Sequence, residues 1–294
     1  MYTLELVCLG IVALYIAVRL SRRGDESPAA LLTRFAWLSL TSALGEDSMI
    51  RVHGFYDYAP GWSLPIDRVP LLIVLIWPIV IDSASVLAGG LGAALGLPPR
   101  TRTIAILTAA VVFVDAWLIE PIATQSGLWR WHEPGLFGVP PIGVLGWAVF
   151  AGCVVWLRPF YDRPGPSAAS RLVRMALASL LALCLTHAVL IASWWGLLRW
   201  LSRSLPAHGG IIAAWALLGS LALWFCRTRS GRFVPLADLL VRVPAAAFFF
   251  VLLVVRKAEL GAQRGPLLIY ALAFALPYWV LVLFRRSPPA FVEK

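Results

Sequence analysis

Apolar residues recur along this chain in long runs that are broken by short polar and basic clusters. The runs cover about 2–20, 30–46, 69–90, 103–120, 139–157, 172–198, 209–226, 234–255 and 266–284. At a rise of ~1.5 Å per residue, runs of this length suffice to cross a hydrocarbon core of ~30 Å. Inside a bilayer the backbone must satisfy its own hydrogen bonds, so each run is predicted to be a helix. The pattern therefore predicts an all-α, polytopic transmembrane helical bundle of about eight or nine spans, read as one membrane domain over residues 1–294.

Composition strengthens that picture. Hydrophobic residues make up 60% of the chain and charged residues 14%, with a mean hydropathy of +0.82, far from the balance of a water-soluble domain. The formal net charge of +10 raises the question of nucleic acid. The basic residues instead sit in short clusters between apolar runs, with no nucleic-acid-binding motif beside them, so no nucleic-acid partner is expected.

Their distribution bears on orientation. The first run lacks a basic leader and a small-residue cleavage site and is followed by Arg19, Arg22 and Arg23, which predicts a retained helix with its N-terminus outside. Alternating the loops from there gathers Arg34, Arg100, Arg102, Arg158, Arg163, Arg171, Arg174, Arg227, Arg229, Arg232, Arg242, Arg285, Arg286 and Lys294 on the same side as that first cluster. Arg51, Arg68, Arg130, Arg199, Arg203, Arg256, Lys257 and Arg264 fall on the other. The excess marks the cytoplasmic face and predicts a multi-pass protein of the cell inner membrane.

Cys8, Cys153, Cys184 and Cys226 lie inside apolar runs without a CxxC pair, which fits neither a disulfide framework nor a zinc site. The four histidines, His53, His132, His187 and His208, are scattered and lack the HxxxH or HxxH clusters of a membrane di-iron enzyme. Nucleotide-binding and serine-hydrolase motifs are missing too. Neither a metal nor a cofactor is expected.

What stands out is acid within apolar runs, because an ionised carboxylate in hydrocarbon costs several kcal/mol. Glu46 and Asp47 close the second run, Asp82 lies within the third, and Asp115 and Glu120 occupy the last turns of the fourth. Asp115 and Glu120 are five residues apart, about 140° around a helix, so the two cannot face the same partner unless Pro121 distorts the helix end. Either such acids pair with Arg51, Arg68 or Arg130, or at least one is held in an apolar pocket, where a carboxyl group stays protonated and acts as a Brønsted acid. The two long connections after these runs, 47–68 and 121–138, carry Tyr56, Tyr58, Trp62, Trp129 and Trp131, which serve either as an interfacial aromatic belt or as the lining of a site.

Two blocks carry a family resemblance. Glu46 through Val80 contains GFYDYAPGWSLPIDRVPLLIVLIWP, and Asp115 through Trp147 contains DAWLIEPIATQSGLWRWHEPGLFGVPPIGVLGW. Both resemble the signature blocks of the integral-membrane carotenoid hydratases that act on γ-carotene or on bacterioruberin precursors. The matching positions are Glu46, Tyr56, Tyr58, the Val69-Pro70-Leu71 run with Trp77, Glu120-Pro121, Trp129, Trp131, Gly138-Val139-Pro140 and Gly146-Trp147. In two places the chain departs from that pattern: an Asn usual shortly before the Gly-Trp pair is replaced by Gly143, Val144 and Leu145, and the loop after Glu46 is shorter.

The resemblance implies addition of water across a terminal isoprenoid double bond to give a tertiary alcohol, with a lipophilic carotenoid as partner and the lipid bilayer as medium. Physically this needs a proton donor, aromatic faces for the cation and an ordered water. Asp115 or Glu120 is the expected acid, Glu46 the group that orients or deprotonates water, and Tyr56, Tyr58, Trp77, Trp129, Trp131 and Trp147 the lining, with Asp82 an outside candidate. The same residues would serve a membrane terpene or carotenoid cyclase. A transporter or lipid-binding membrane protein, using the acids to bind protons or cations, is the remaining alternative, although no internal repeat supports it. Chain length of the substrate and oligomeric state leave no trace in the sequence.

Overall fold

The computed structural model describes residues 1–21, 27–163, 167–203, 205–228 and 236–283. Among the described residues nine long helices follow the nine apolar runs: α1 (Tyr2–Ser21), α2 (Pro28–His53), α3 (Leu71–Ala94), α4 (Thr101–Gln125), α5 (Pro141–Trp156), α7 (Ala168–Ser193), α9 (Ala207–Thr228), α10 (Leu236–Val255) and α12 (Arg264–Leu283). Short turns of helix, α6 (Arg158–Tyr161), α8 (Arg199–Leu201) and α11 (Lys257–Leu260), lie between them. Among the described residues six helical stretches are long and apolar enough to cross a membrane: Tyr2–Ser21, Leu71–Ala94, Thr101–Gln125, Pro141–Tyr161, Ala168–Leu201 and Ala207–Arg227. Helix α10 adds a shorter apolar run, Arg242–Val255. In α2, Arg34 and a series of hydroxyls dilute the apolar character. Thr33, Thr41 and Ser42 bond back to the carbonyls of Ala29, Trp37 and Leu38, which is how hydroxyls are accommodated inside an apolar bundle.

Helix ends fall into two groups. Glu5 near the start of α1 accepts a bond from the Ser63 amide, and Ser202 after α8 donates to the Pro134 carbonyl. With the pairing of residues 56–58 and 129–131, these bonds gather the start of α1, the loops 54–70 and 126–140, and residues 202–203 at one end of the bundle. At the far end of α1, Arg19 meets Asp82 of α3.

Two helices run past their expected ends. Ser27 caps the start of α2, and Gly54, at φ 62°, closes it after His53 with a bond to the Ile50 carbonyl. Helix α4 continues through Pro121 to Gln125. Proline cannot donate to the carbonyl four residues back, and the carbonyl so freed, that of Trp117, accepts the hydroxyl of Tyr270 on α12 at 3.0 Å. A tertiary contact thus removes the penalty that marked Pro121 as a helix end.

The all-α expectation needs one amendment. The loops after α2 and α4 pair as antiparallel strands β1 (Tyr56–Tyr58) and β4 (Trp129–Trp131), while β2 (Pro65–Ile66) and β3 (Val69–Pro70) form a second small ladder. The positive-charge tally changes as well. Arg242 does not belong to a loop: it is buried within α10 and bonded to Asp115 of α4. Arg22, Arg23, Arg229, Arg232, Arg285, Arg286 and Lys294 lie outside the described residues.

Candidate active site

Strand alternation builds the roof of a chamber. In β1 the sequence Tyr-Asp-Tyr sends both tyrosines to one face and Asp57 to the other, and in β4 Trp-Arg-Trp does the same with Arg130. The register pairs Tyr56 with Trp131 and Tyr58 with Trp129, so four aromatic rings face into the bundle while Asp57 and Arg130 face out. The ring centroids of Tyr56 and Trp131 are 4.7 Å apart, those of Tyr58 and Trp129 5.9 Å. On the outer side His132 bonds Asp57 at 2.9 Å and the Gly54 carbonyl at 2.7 Å.

Beneath this roof, α2 supplies Glu46 and α4 supplies Glu120, which are 8% and 2% exposed. Glu46 takes three donors on both of its oxygens: the Tyr56 hydroxyl and, at 3.1 Å, the Tyr58 hydroxyl on Oε2, and the Trp77 indole of α3 at 2.7 Å on Oε1. Glu120 receives the indole N–H groups of Trp129 and Trp131 on a single oxygen, Oε2, each at 2.7 Å, with Trp147 of α5 beside the same carboxyl. Tyr56 and Tyr58 have their hydroxyl pKa raised well above the ordinary tyrosine range, by burial first and by neighbouring Glu46 second, so they remain neutral donors. No cation is paired with Glu46 or Glu120 among the described residues.

Both carboxyls line one cavity of about 140 Å³, together with Trp62, Trp147 and aliphatic side chains of α3 and α4 such as Ile73, Val80 and Ile119. Every expected aromatic, Tyr56, Tyr58, Trp77, Trp129, Trp131 and Trp147, is on its wall. Gly143 on α5 makes the fit possible. A Cβ there would stand 2.4 Å from the Trp131 ring, so the lack of a side chain at Gly143 leaves room for that indole to lie against α5. Trp62 contributes an indole N–H that is buried without a hydrogen-bond partner among the described residues.

The other acids lie elsewhere. Asp115 turns from Glu120 to the other side of α4 and is gripped by Arg242 at 2.5 and 2.7 Å. Arg242 also donates to Ser83 at 3.0 Å and to the Tyr278 hydroxyl at 2.9 Å. Asp82 accepts the Tyr15 hydroxyl at 2.9 Å and meets Arg19 and Arg34 at 3.4 and 3.9 Å. Asp47 pairs with Arg51 at 2.7 Å near the surface. Of the four acids expected at the site, the structure brings Glu46 and Glu120 together and leaves Asp115 and Asp82 outside the chamber.

Three features went unread in the sequence: the strand pairing, the space at Gly143 and the Arg242 partner of Asp115. Only the first had a signal, in the alternation of aromatic and charged residues in Tyr56-Asp57-Tyr58 and Trp129-Arg130-Trp131. Two of the scattered histidines also meet. His187 of α7 lies 2.9 Å from the Ser48 hydroxyl and 3.0 Å from His53. Among the described residues no three His, Cys, Asp or Glu side chains gather closely enough to hold a metal ion.

A family model described as carotenoid biosynthesis protein matches residues 3–214, which contain α1 to α8 and every residue of the chamber's carboxyl and aromatic set. No curated protein and no solved structure matches the chain.

Proposed function

The chain belongs to the carotenoid biosynthesis protein family, and from that premise we propose that it is a membrane carotenoid hydratase adding water to a terminal isoprenoid double bond. The observation that carries this reading is the pair of buried carboxyls, uncompensated by any described cation and facing one aromatic cavity. All nine long helices are read as spans of the cell inner membrane, with the N-terminus outside and the chamber near the outer surface.

In this scheme Glu120 is the acid. Trp129 and Trp131 donate to Oε2 and Trp147 also reaches the carboxyl, and the proton that Glu120 delivers is carried on Oε1. The proton passes to the terminal CH carbon of the alkene, and the resulting tertiary cation lies among the faces of Trp131, Trp147, Tyr56 and Tyr58. Glu46, with three donors stabilising its negative charge, orients a water for attack on the cation and accepts the proton that the water releases. The unpartnered Trp62 indole offers a donor to that water or to the product hydroxyl. Return of one proton from Glu46 to Glu120 restores the starting state, so alkene plus water balances the tertiary alcohol with no cofactor.

Incubating membranes that contain the protein with a ψ-ended carotenoid in ¹⁸O-labelled water tests the reading. The expected product is heavier by one labelled water. An unlabelled isomer would instead mean that a second double bond captures the cation, and the protein would be a cyclase. No change in the pigment, with the protein present and folded, would overturn the enzyme reading.

A further inference from the structure

A second cavity, of about 230 Å³, adjoins the first. The two share Ile11, Ile76, Val80, Ile119, Ala245 and Phe249 as a common wall. From that wall the second cavity follows α3 and α4 toward the opposite end of the bundle, reaching Leu91 on α3. Together the cavities extend from Ile73 to Leu91, which at ~1.5 Å per residue is about 27 Å along α3, close to the ~30 Å of a bilayer's hydrocarbon core. The second lining is aliphatic and aromatic except where Ser83, Asp115, Arg242 and Tyr278 meet. Those four bond mainly to one another, tying α3, α4, α10 and α12 around the space.

Resting on the hydratase reading of the first cavity, we propose that the second is a tail compartment of the same site. The reacting end of a long isoprenoid sits between Glu46 and Glu120, and the unreacted chain runs past Ile76, Val80 and Phe249 toward the Asp115–Arg242 pair. Position along the chain adds weight. The walls that α10 and α12 contribute, including Ala245, Ala246, Phe249 and Tyr278, lie beyond residue 214, outside the stretch that matches the family. The carboxyl and aromatic set of the first cavity thus lies in the matched part, while the second cavity is walled by α3 and α4 from that part and by α9, α10 and α12 from beyond it.

Ala246 lines the second cavity and not the first, and so does Leu218 on α9. The test measures kcat/KM for a full-length ψ-ended carotenoid against a monoterpene with the same terminal alkene, in wild type, Ala246→Trp and Leu218→Phe. The long-to-short ratio is expected to fall at least tenfold in Ala246→Trp and by a smaller factor in Leu218→Phe. Loss of both activities in one variant identifies misfolding, and the other variant then decides. An unmoved ratio overturns the proposal. Binding gives a readout independent of catalysis, because a bound polyene quenches tryptophan emission. Quenching weakened severalfold in Leu218→Phe, which adds no tryptophan, supports the compartment even if wild type hydrates nothing, an outcome that would overturn the hydratase reading alone. Equal quenching in wild type and variants, or a lipid acyl chain that the polyene does not displace, counts against it.

Discussion

Two pairs of acidic side chains in this molecule solve the same problem in opposite ways. Asp115 on α4 and Asp82 on α3 are compensated: one is held by Arg242, the other by Arg19 and Arg34 with a tyrosine. Glu46 and Glu120 are more deeply buried, yet their partners are hydroxyls and indoles, neutral groups that donate hydrogen bonds without cancelling charge. An ion pair fixes the charge state of both members and ties helices together. A carboxyl held only by neutral donors is free to gain or lose a proton, which acid catalysis requires. Sequence proximity is a poor guide here, since Asp115 and Glu120 share a helix and belong to different classes.

The sharpest way to break this contrast is to neutralise each class in turn. Glu120→Gln preserves shape and removes the proton, and should lower hydration by about 10²–10⁴-fold, the usual contribution of a general acid; Glu46→Gln should fall in the same range. Pigment analysis after expression in a carotenoid-producing host measures both, and activity within twofold of wild type in either variant removes that residue from the mechanism. On the compensated side the effect should appear in stability. Arg242→Met strands a buried carboxylate and should destabilise the detergent-solubilised protein by about 3–5 kcal/mol, while the double variant Arg242→Met/Asp115→Asn should regain most of that. If the single and double variants melt alike, the pair is not the strut described.

Smaller changes refine the picture. Gly143→Ala leaves both carboxyls in place but pushes against the Trp131 ring, and overpacking of this kind costs about 1–3 kcal/mol. It should reduce turnover by roughly tenfold, through the lost donor to Glu120, with the melting temperature falling only modestly. The exposed Asp47–Arg51 pair marks the lower limit. Arg51→Ala should change stability by less than about 1 kcal/mol and leave activity as it was, because a surface ion pair in water contributes little.

Much of the candidate site was legible because it rests on residue types that apolar runs rarely contain. Glu46 and Glu120 stood out as acids in hydrocarbon, and the aromatic loops that follow them stood out by density. The sequence did not say which way a side chain turns. Five residues of helix separate Asp115 from Glu120, and the choice between them was made by Arg242, a residue more than a hundred positions away that alternation had assigned to a loop. The same holds for Pro121, where the hydroxyl of Tyr270 keeps α4 intact past a residue that locally ends helices.

The number and rough extent of the long helices, and the presence of acids within them, follow from the sequence alone, because burial of apolar runs and self-satisfaction of the backbone are local requirements. Which acids are neutralised and which stay open to chemistry was decided only by tertiary structure. Charge compensation depends on which helix packs against which, and that is settled by the assembled bundle rather than by any one segment.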